Sequence, residues 1–179
     1  MTLILGIDPG SRLTGYGIIN ATGNKLGYVA CGSIRLPDID HPARLKLIFD
    51  NLCQIIEQYA PQECAIEEVF LGKSVSSALK LGQARGSAMV ACLHHNLALS
   101  EYSPRKVKQA LVGNGNAEKE QVQHMVKVLL GVTGNVQADA ADALAIAICH
   151  ANTSANLQRI GGGATSFRNS RLQSKGRVP

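Results

Sequence analysis

Apolar residues in the first 36 positions fall into three strand-like runs: 2–8 (TLILGID), 14–20 (TGYGIIN) and 26–36 (LGYVACGSIRL). Pro9-Gly10 and Gly23-Asn24 separate them, as in a meander of antiparallel strands. The apolar period then lengthens to three or four. Leu45, Ile48, Leu52, Ile55 and Ile56 predict a helix over 42–59. ECAIEEVF (63–70) predicts a fourth strand, 75–95 a long helix and ALSEY (98–102) a fifth strand. In SPRKVKQAL, Ser103 is placed as an N-cap with Pro104 at the first helical position. NGNAEKEQVQHMVKVLLG predicts a further helix, capped by Asn116 and stopped by Gly131. The Ala-rich ADAADALAIAICHAN (138–152) predicts the last. Strands first, then alternating helix and strand, then helices: this order implies an α/β domain with a mixed sheet and helices on its faces. The domain is expected to span 1–152.

Composition sharpens the picture at one end. Hydrophobic content of 45% and charged content of 17% are ordinary for a globular chain. No apolar run is long enough to span a bilayer and no signal peptide is evident, so a cytoplasmic location is expected without membrane attachment. Cysteines 31, 53, 64, 92 and 149 never form a CxxC pair and read as reduced thiols. The net charge is +5, and all of it belongs to the tail. Residues 153–179 carry Arg159, Arg168, Arg171, Lys175 and Arg177 with no acid, while 1–152 balance. This Gly/Ser/Asn-rich tail lacks an apolar period and is expected to be disordered, either solubilising or a non-specific anchor to phosphate backbone.

The candidate chemistry lies in acids placed where apolar segments end. Asp8 closes the first strand, just before a Pro-Gly turn. An unpaired charge there would be costly, so a partner or a metal is expected. The fourth strand runs into Glu67 and Glu68, which alternation sends to opposite faces; periodicity alone does not choose between them. Asp139 and Asp142 are three apart at the start of the last helix, on one face. Taken alone, they also read as a dipole partner and a solvated acid. If the acids converge, their repulsion demands a cation, and an all-oxygen set suits Mg²⁺ or Mn²⁺ with a substrate phosphate. Arg105, Lys106 and Lys108 crowd the start of one helix and Lys119 the start of the next, where phosphates bind well. Phe70 follows the strand-end acids and is suited to stacking on a base. Neither GxxxxGK[ST] nor GxGxxG occurs, which leaves nucleotide-cofactor binding unsupported. His94-His95 lack a third ligand and read as a polar helix end.

ILGIDPGSRLTGYGII, AIEEVF, SALKLGQARG, VKQALVGNGNAEKEQVQHMV and ADAADALAIAI closely resemble the RuvC family of bacterial Holliday-junction endonucleases, collinearly over about residues 2–150. The resemblance implies a ribonuclease H-like mixed five-stranded sheet with helices on both faces. It also implies a homodimer that nicks two strands of a four-way junction in recombination and repair, working with a branch-migration helicase. Its four metal-binding acids fall on Asp8, Glu67, Asp139 and Asp142, which selects Glu67 over Glu68. Its basic residues near the scissile phosphate match Lys108 and Lys119, and its aromatic residue matches Phe70. Lys80 and Arg85, within the matched SALKLGQARG, join Arg105 and Lys106 as expected DNA contacts. Two Mg²⁺ ions about 3.5–4 Å apart would clamp one phosphodiester and leave 5′-phosphate and 3′-hydroxyl ends, with Asp8 shared between them and Mn²⁺ able to substitute. The stripe Ala78, Gly82, Gly86 on the 75–95 helix is the expected dimer contact, with packing on the sheet as the alternative.

Three other functions share part of this pattern. An actin-like ATPase or sugar kinase would need a second phosphate-binding glycine motif. A catalytically dead DNA-binding module would lack one of the four acids. A nuclease for plain duplex or RNA would share the site and differ in substrate.

Overall fold

The computed structural model describes residues 1–69, 74–160, 164–168 and 171–174, with side-chain surroundings up to residue 157. Strands β1 (Thr2–Asp8), β2 (Leu13–Thr22) and β3 (Lys25–Arg35) form the meander, followed by helix α1 (His41–Tyr59). Then come β4 (Glu63–Glu67), α2 (Val75–His94), β5 (Ala98–Tyr102), α3 (Pro104–Val112), α4 (Lys119–Leu130) and α5 (Ala138–Ile160). The main sheet has the order β3-β2-β1-β4-β5. Its first three strands pair antiparallel, while β4 lies parallel to both β1 and β5. Parallel pairs require crossovers, and α2 supplies the one between β4 and β5.

Alternation along the strands divides the core in two. Leu5, Ile7, Ile18, Cys64 and Ile66 face α1 and α2, meeting Ile48, Leu52, Ala84 and Ala88. Ile4, Ile19 and Ala65 face the other way, toward α3, α4 and α5. On that side α5 is central: from Ala143 to Cys149 every residue is buried. A helix that is apolar all round needs neighbours on every side, which the sheet, α3 and α4 provide.

Local signals explain most element ends. The Ser103 hydroxyl accepts from the Lys106 N–H, Pro104 opens α3, and Gly113 closes it in the left-handed conformation. Two expectations need correction. The N-cap of α4 is Glu118, not Asn116; the Glu118 N–H donates to the Gln121 side chain, while the Asn116 N–H belongs to a turn accepted by Asn114. The E-x-x-Q spacing decided the start. Nor does α5 stop at residue 152: it runs to Ile160, and Ala164–Arg168 then pairs antiparallel with Arg171–Ser174. Part of the segment expected to be disordered therefore has regular backbone. Phe70 lies outside the described residues. Among those described, no helix is long and apolar enough to cross a membrane.

Candidate active site

Three elements bring the acids together. On β1, Ile4 faces α5 while Leu5 and Ile7 face the opposite core, so alternation turns Gly6 and Asp8 toward α5. On β4, Cys64 and Ile66 face α1 and α2 and Ala65 faces α5, so Glu67 also looks toward α5 and Glu68 away. This answers from geometry the question that alternation had left open. Asp139 and Asp142 come from the first two turns of α5.

That helix can approach the sheet because the strands beneath it carry glycine. A Cβ on Gly15 would lie 2.1 Å from the Asp139 carbonyl oxygen. One on Gly6 would lie 2.1 Å from the Ala143 carbonyl oxygen, and one on Gly17 would strike Leu144 at 2.7 Å. Gly6 pairs with Gly17 and Asp8 with Gly15 across the β1–β2 ladder, so the glycine patch lies directly beside the strand-end acid. Sequence reasoning had passed over these glycines, although their spacing at 15 and 17 was a visible sign of one uncovered strand face. It had also passed over Thr14. That hydroxyl is fully buried, accepts from the Gly10 N–H and donates to the Gly10 carbonyl, tying down the turn that follows Asp8.

The electrostatics reflect this arrangement. Burial first, then the charges of Glu67, Asp142 and Asp139, push the Asp8 carboxyl up from 3.8 to about 7, against a small lowering by Lys119. Burial and then Asp142 raise Glu67 from 4.5 to about 7, opposed by Lys119 and Lys108. Lys119 Nζ stands 2.6 Å from Oδ2 of Asp142. Glu67, Asp142, Lys108 and Lys119 rim a cavity of about 200 Å³ whose walls include Val107 and Val122. A larger hollow, about 540 Å³, lies between β3 and the α4–α5 loop beside Gln137 and Ala140, and none of the four acids lines it.

Four carboxylates drawn to one place, with Asp8 and Glu67 both raised, fit a hard divalent cation in charge and donor type. Among the described residues no three of them form a ready-made ligand cluster, and the Lys119 ammonium partners Asp142 instead.

The remaining basic residues are placed variously. Lys108 joins the site. Arg105 lies across Gly115 in the loop before α4, and Lys106 Nζ sits 4.8 Å from the centre of the Tyr102 ring. Lys80 is exposed on α2. Arg85 is brought to the back of the site, where its guanidinium ion-pairs with Glu101 and its Nε donates to the Glu67 carbonyl at 2.9 Å.

The family model for crossover junction endodeoxyribonuclease RuvC matches residues 4–150, which include all four acids. The chain belongs to the RuvC family. It is 61% identical to the RuvC of Teredinibacter turnerae over 176 residues, covering 96% of this chain and 99% of that protein. It is 56% identical to the RuvC of Photobacterium profundum, covering 97% and 100%. The fold superposes on the RuvC of Thermus thermophilus in complex with a Holliday junction substrate, with a TM-score of 0.82 and 31% identity over 87% of this chain and 96% of that one. The yeast mitochondrial Holliday junction resolvase Ydc2 shares the architecture at a TM-score of 0.65 and 14% identity, covering 87% and 82%. The five-stranded mixed sheet covered on both faces is thus the ribonuclease H-like fold of the RuvC family.

Proposed function

We propose that this RuvC-family chain cuts four-way DNA junctions by paired, symmetric nicks, with Asp8, Glu67, Asp139 and Asp142 as its metal-binding acids. The observation that carries the reading is the convergence of four carboxylates from β1, β4 and α5, two of them raised to about 7, beside Lys108 and Lys119. Two Mg²⁺ ions bound there, or Mn²⁺ in their place, would polarise the phosphodiester and lower the pKa of the attacking water, giving 5′-phosphate and 3′-hydroxyl ends.

The chain's own part is to bind and orient. Asp8, on the central strand, has acids on either side and is the natural shared ligand. Lys119 is the first residue of α4, and Arg105 and Lys106 lie in the first turn of α3. Positive charge is unfavourable at a helix N-terminus, so the helix dipole does not account for these residues. Placed at helix N-termini, they suit phosphate oxygens. Lys108 and Lys119 hold the scissile phosphate, and Arg105, Lys106 and Lys80 hold the flanking backbone. Phe70 stacks on a base beside the cut.

The protein acts as a two-fold dimer through α2. Val75, Leu79, Val90 and Leu93 are 55–73% exposed, and Gly82 and Gly86 face open space. Ala84, Ala88 and Ala91 are the residues that pack on the sheet, so the small stripe expected as interface is left uncovered. Two identical sites then match the two-fold symmetry of a junction. In the cytoplasm a branch-migration helicase would deliver the junction.

The test is incubation with a synthetic four-way junction, a linear duplex of the same sequence and an RNA hybrid, each with Mg²⁺. Paired nicks in opposite strands of the junction alone are expected. Equal cutting of the linear duplex would overturn junction specificity.

A further inference from the structure

The Glu67 carbonyl is the last on β4, and the sheet has little to offer it. The neighbouring strand β1 continues into Pro9, and β5 continues through Ser103 into Pro104; neither proline has an N–H. A backbone acceptor left without a donor at a strand end would be free to shift. Arg85 supplies the donor from α2, its Nε 2.9 Å from that oxygen.

The arrangement around Arg85 makes it a holder of backbone. Its side chain is 18% exposed, and its guanidinium is also ion-paired with Glu101 of β5. Glu101 pairs with Ile66 in the parallel β4–β5 ladder, which puts it on the α1–α2 face of the sheet. The clamp therefore grips the end of β4 from behind, while the Glu67 carboxylate projects from the opposite face toward Asp142. A guanidinium presents its donors in a rigid plane, so fixing one edge on Glu101 fixes the direction of Nε. A phosphate approaching Arg85 would have to displace Glu101 first.

We propose that Arg85 is a positioning residue for Glu67, aligned by Glu101, and not a DNA contact. It sets the main-chain position from which the Glu67 carboxylate reaches into the acid cluster. The inference rests on Glu67 being one of the acids of the proposed site. It assigns to Arg85 a role that no lysine can fill, because an ammonium has no planar fork to share between a carboxylate and a carbonyl.

The experiment compares full-length Arg85→Lys, Arg85→Gln and Glu101→Gln with the parent protein. The measurements are junction affinity without divalent metal, single-turnover cleavage across a Mg²⁺ titration, and melting temperature with and without Mg²⁺. Loss of an outer partner of a metal-binding carboxylate costs about 10–100-fold in metal affinity or rate. Arg85→Lys is expected to lose cleavage on that scale, shift the Mg²⁺ midpoint upward and shrink the Mg²⁺-induced rise in melting temperature, with junction affinity unchanged. Glu101→Gln should move the same readouts in the same direction by less. Weaker junction binding with an unchanged rate at saturating DNA would make Arg85 a DNA contact and overturn the proposal. So would a lower melting temperature with an unshifted Mg²⁺ midpoint, which marks a merely structural role. Should Arg85→Gln fail to fold, Arg85→Lys and Glu101→Gln still decide. Glu67→Gln, run alongside, separates the two levels. If it cleaves normally, the four-acid site itself fails; if it is dead while Arg85→Lys cleaves as the parent does, only the positioning role fails.

Discussion

Lys119 Nζ lies 2.6 Å from Oδ2 of Asp142, joining the first turn of α4 to the first turns of α5. The hydrogen bond to Asp142, with the charges of Asp142, Asp139 and Asp8, holds the Lys119 ammonium above its ordinary pKa despite partial burial. Lys119 thus places a positive charge at the edge of the acid cluster. It offsets repulsion among the carboxylates, and it would compete for Asp142 with a metal bound at the proposed site.

Lys119→Gln should therefore move two readouts in opposite directions. Cleavage is expected to fall by on the order of 10²-fold, the scale for losing one donor to a developing charge. Mg²⁺ affinity of the DNA-free protein should rise, because Asp142 is released. Calorimetric titration and single-turnover kinetics check the pair; a fall in both would give Lys119 a ligand-supporting role instead.

Asp8→Asn, Glu67→Gln, Asp139→Asn and Asp142→Asn should each abolish cleavage and leave junction binding in place, since the amide keeps shape and loses charge. Glu68→Gln, on the opposite face of the strand end, should be mild. Near-parental cleavage by any of the four would remove that residue from the site.

The raised carboxyls predict an inverted pH dependence of stability. Asp8 and Glu67 bind protons more tightly folded than unfolded, with folded values of about 7 against ordinary values of 3.8 and 4.5. Their contribution is then complete below about pH 4 and is lost as pH rises through 7. Metal-free protein should show this loss in melting temperature between pH 5 and 7.5, and Mg²⁺ should restore it most at the upper end. Asp8→Asn should flatten the profile. An equally steep profile in that variant would assign the effect to other groups.

Gly15→Ala places a methyl group against the Asp139 carbonyl, which is main chain and cannot swing aside. Overpacking of this kind costs about 1–3 kcal/mol. The shift should fall on the start of α5, so cleavage should drop in samples that remain fully folded. A lower melting temperature with normal cleavage would show that α5 relaxes without moving its acids.

Leu79→Glu with Gly86→Arg places charge on the exposed stripe of α2, away from both cores. Light scattering should then report monomer, and junctions should receive single unpaired nicks. A persistent dimer would move the interface elsewhere.

Patterning alone determined the element order and the main sheet's mixed character, because periods of two and near four are local consequences of strand and helix geometry. The charged helix starts were equally legible. So was the family, through motifs that include the four acids. The ends of α4 and α5 were not. Asn116 and Glu118 both offer caps, and only the reciprocal bond to Gln121 selects the second. Likewise, α5 continues past residue 152 although its later sequence lacks an apolar period. Tertiary structure alone decided how the acids meet. Alternation told that Glu67 and Glu68 point apart, but which one faces α5 depended on α1 and α2 claiming Cys64 and Ile66. The spacing of Gly15 and Gly17 hinted at an uncovered strand face, but what covers it, and what Thr14 and Arg85 touch, was not legible in the sequence. A glycine's missing side chain, a buried hydroxyl and a committed guanidinium acquire meaning only from what stands opposite, and those partners come from other elements.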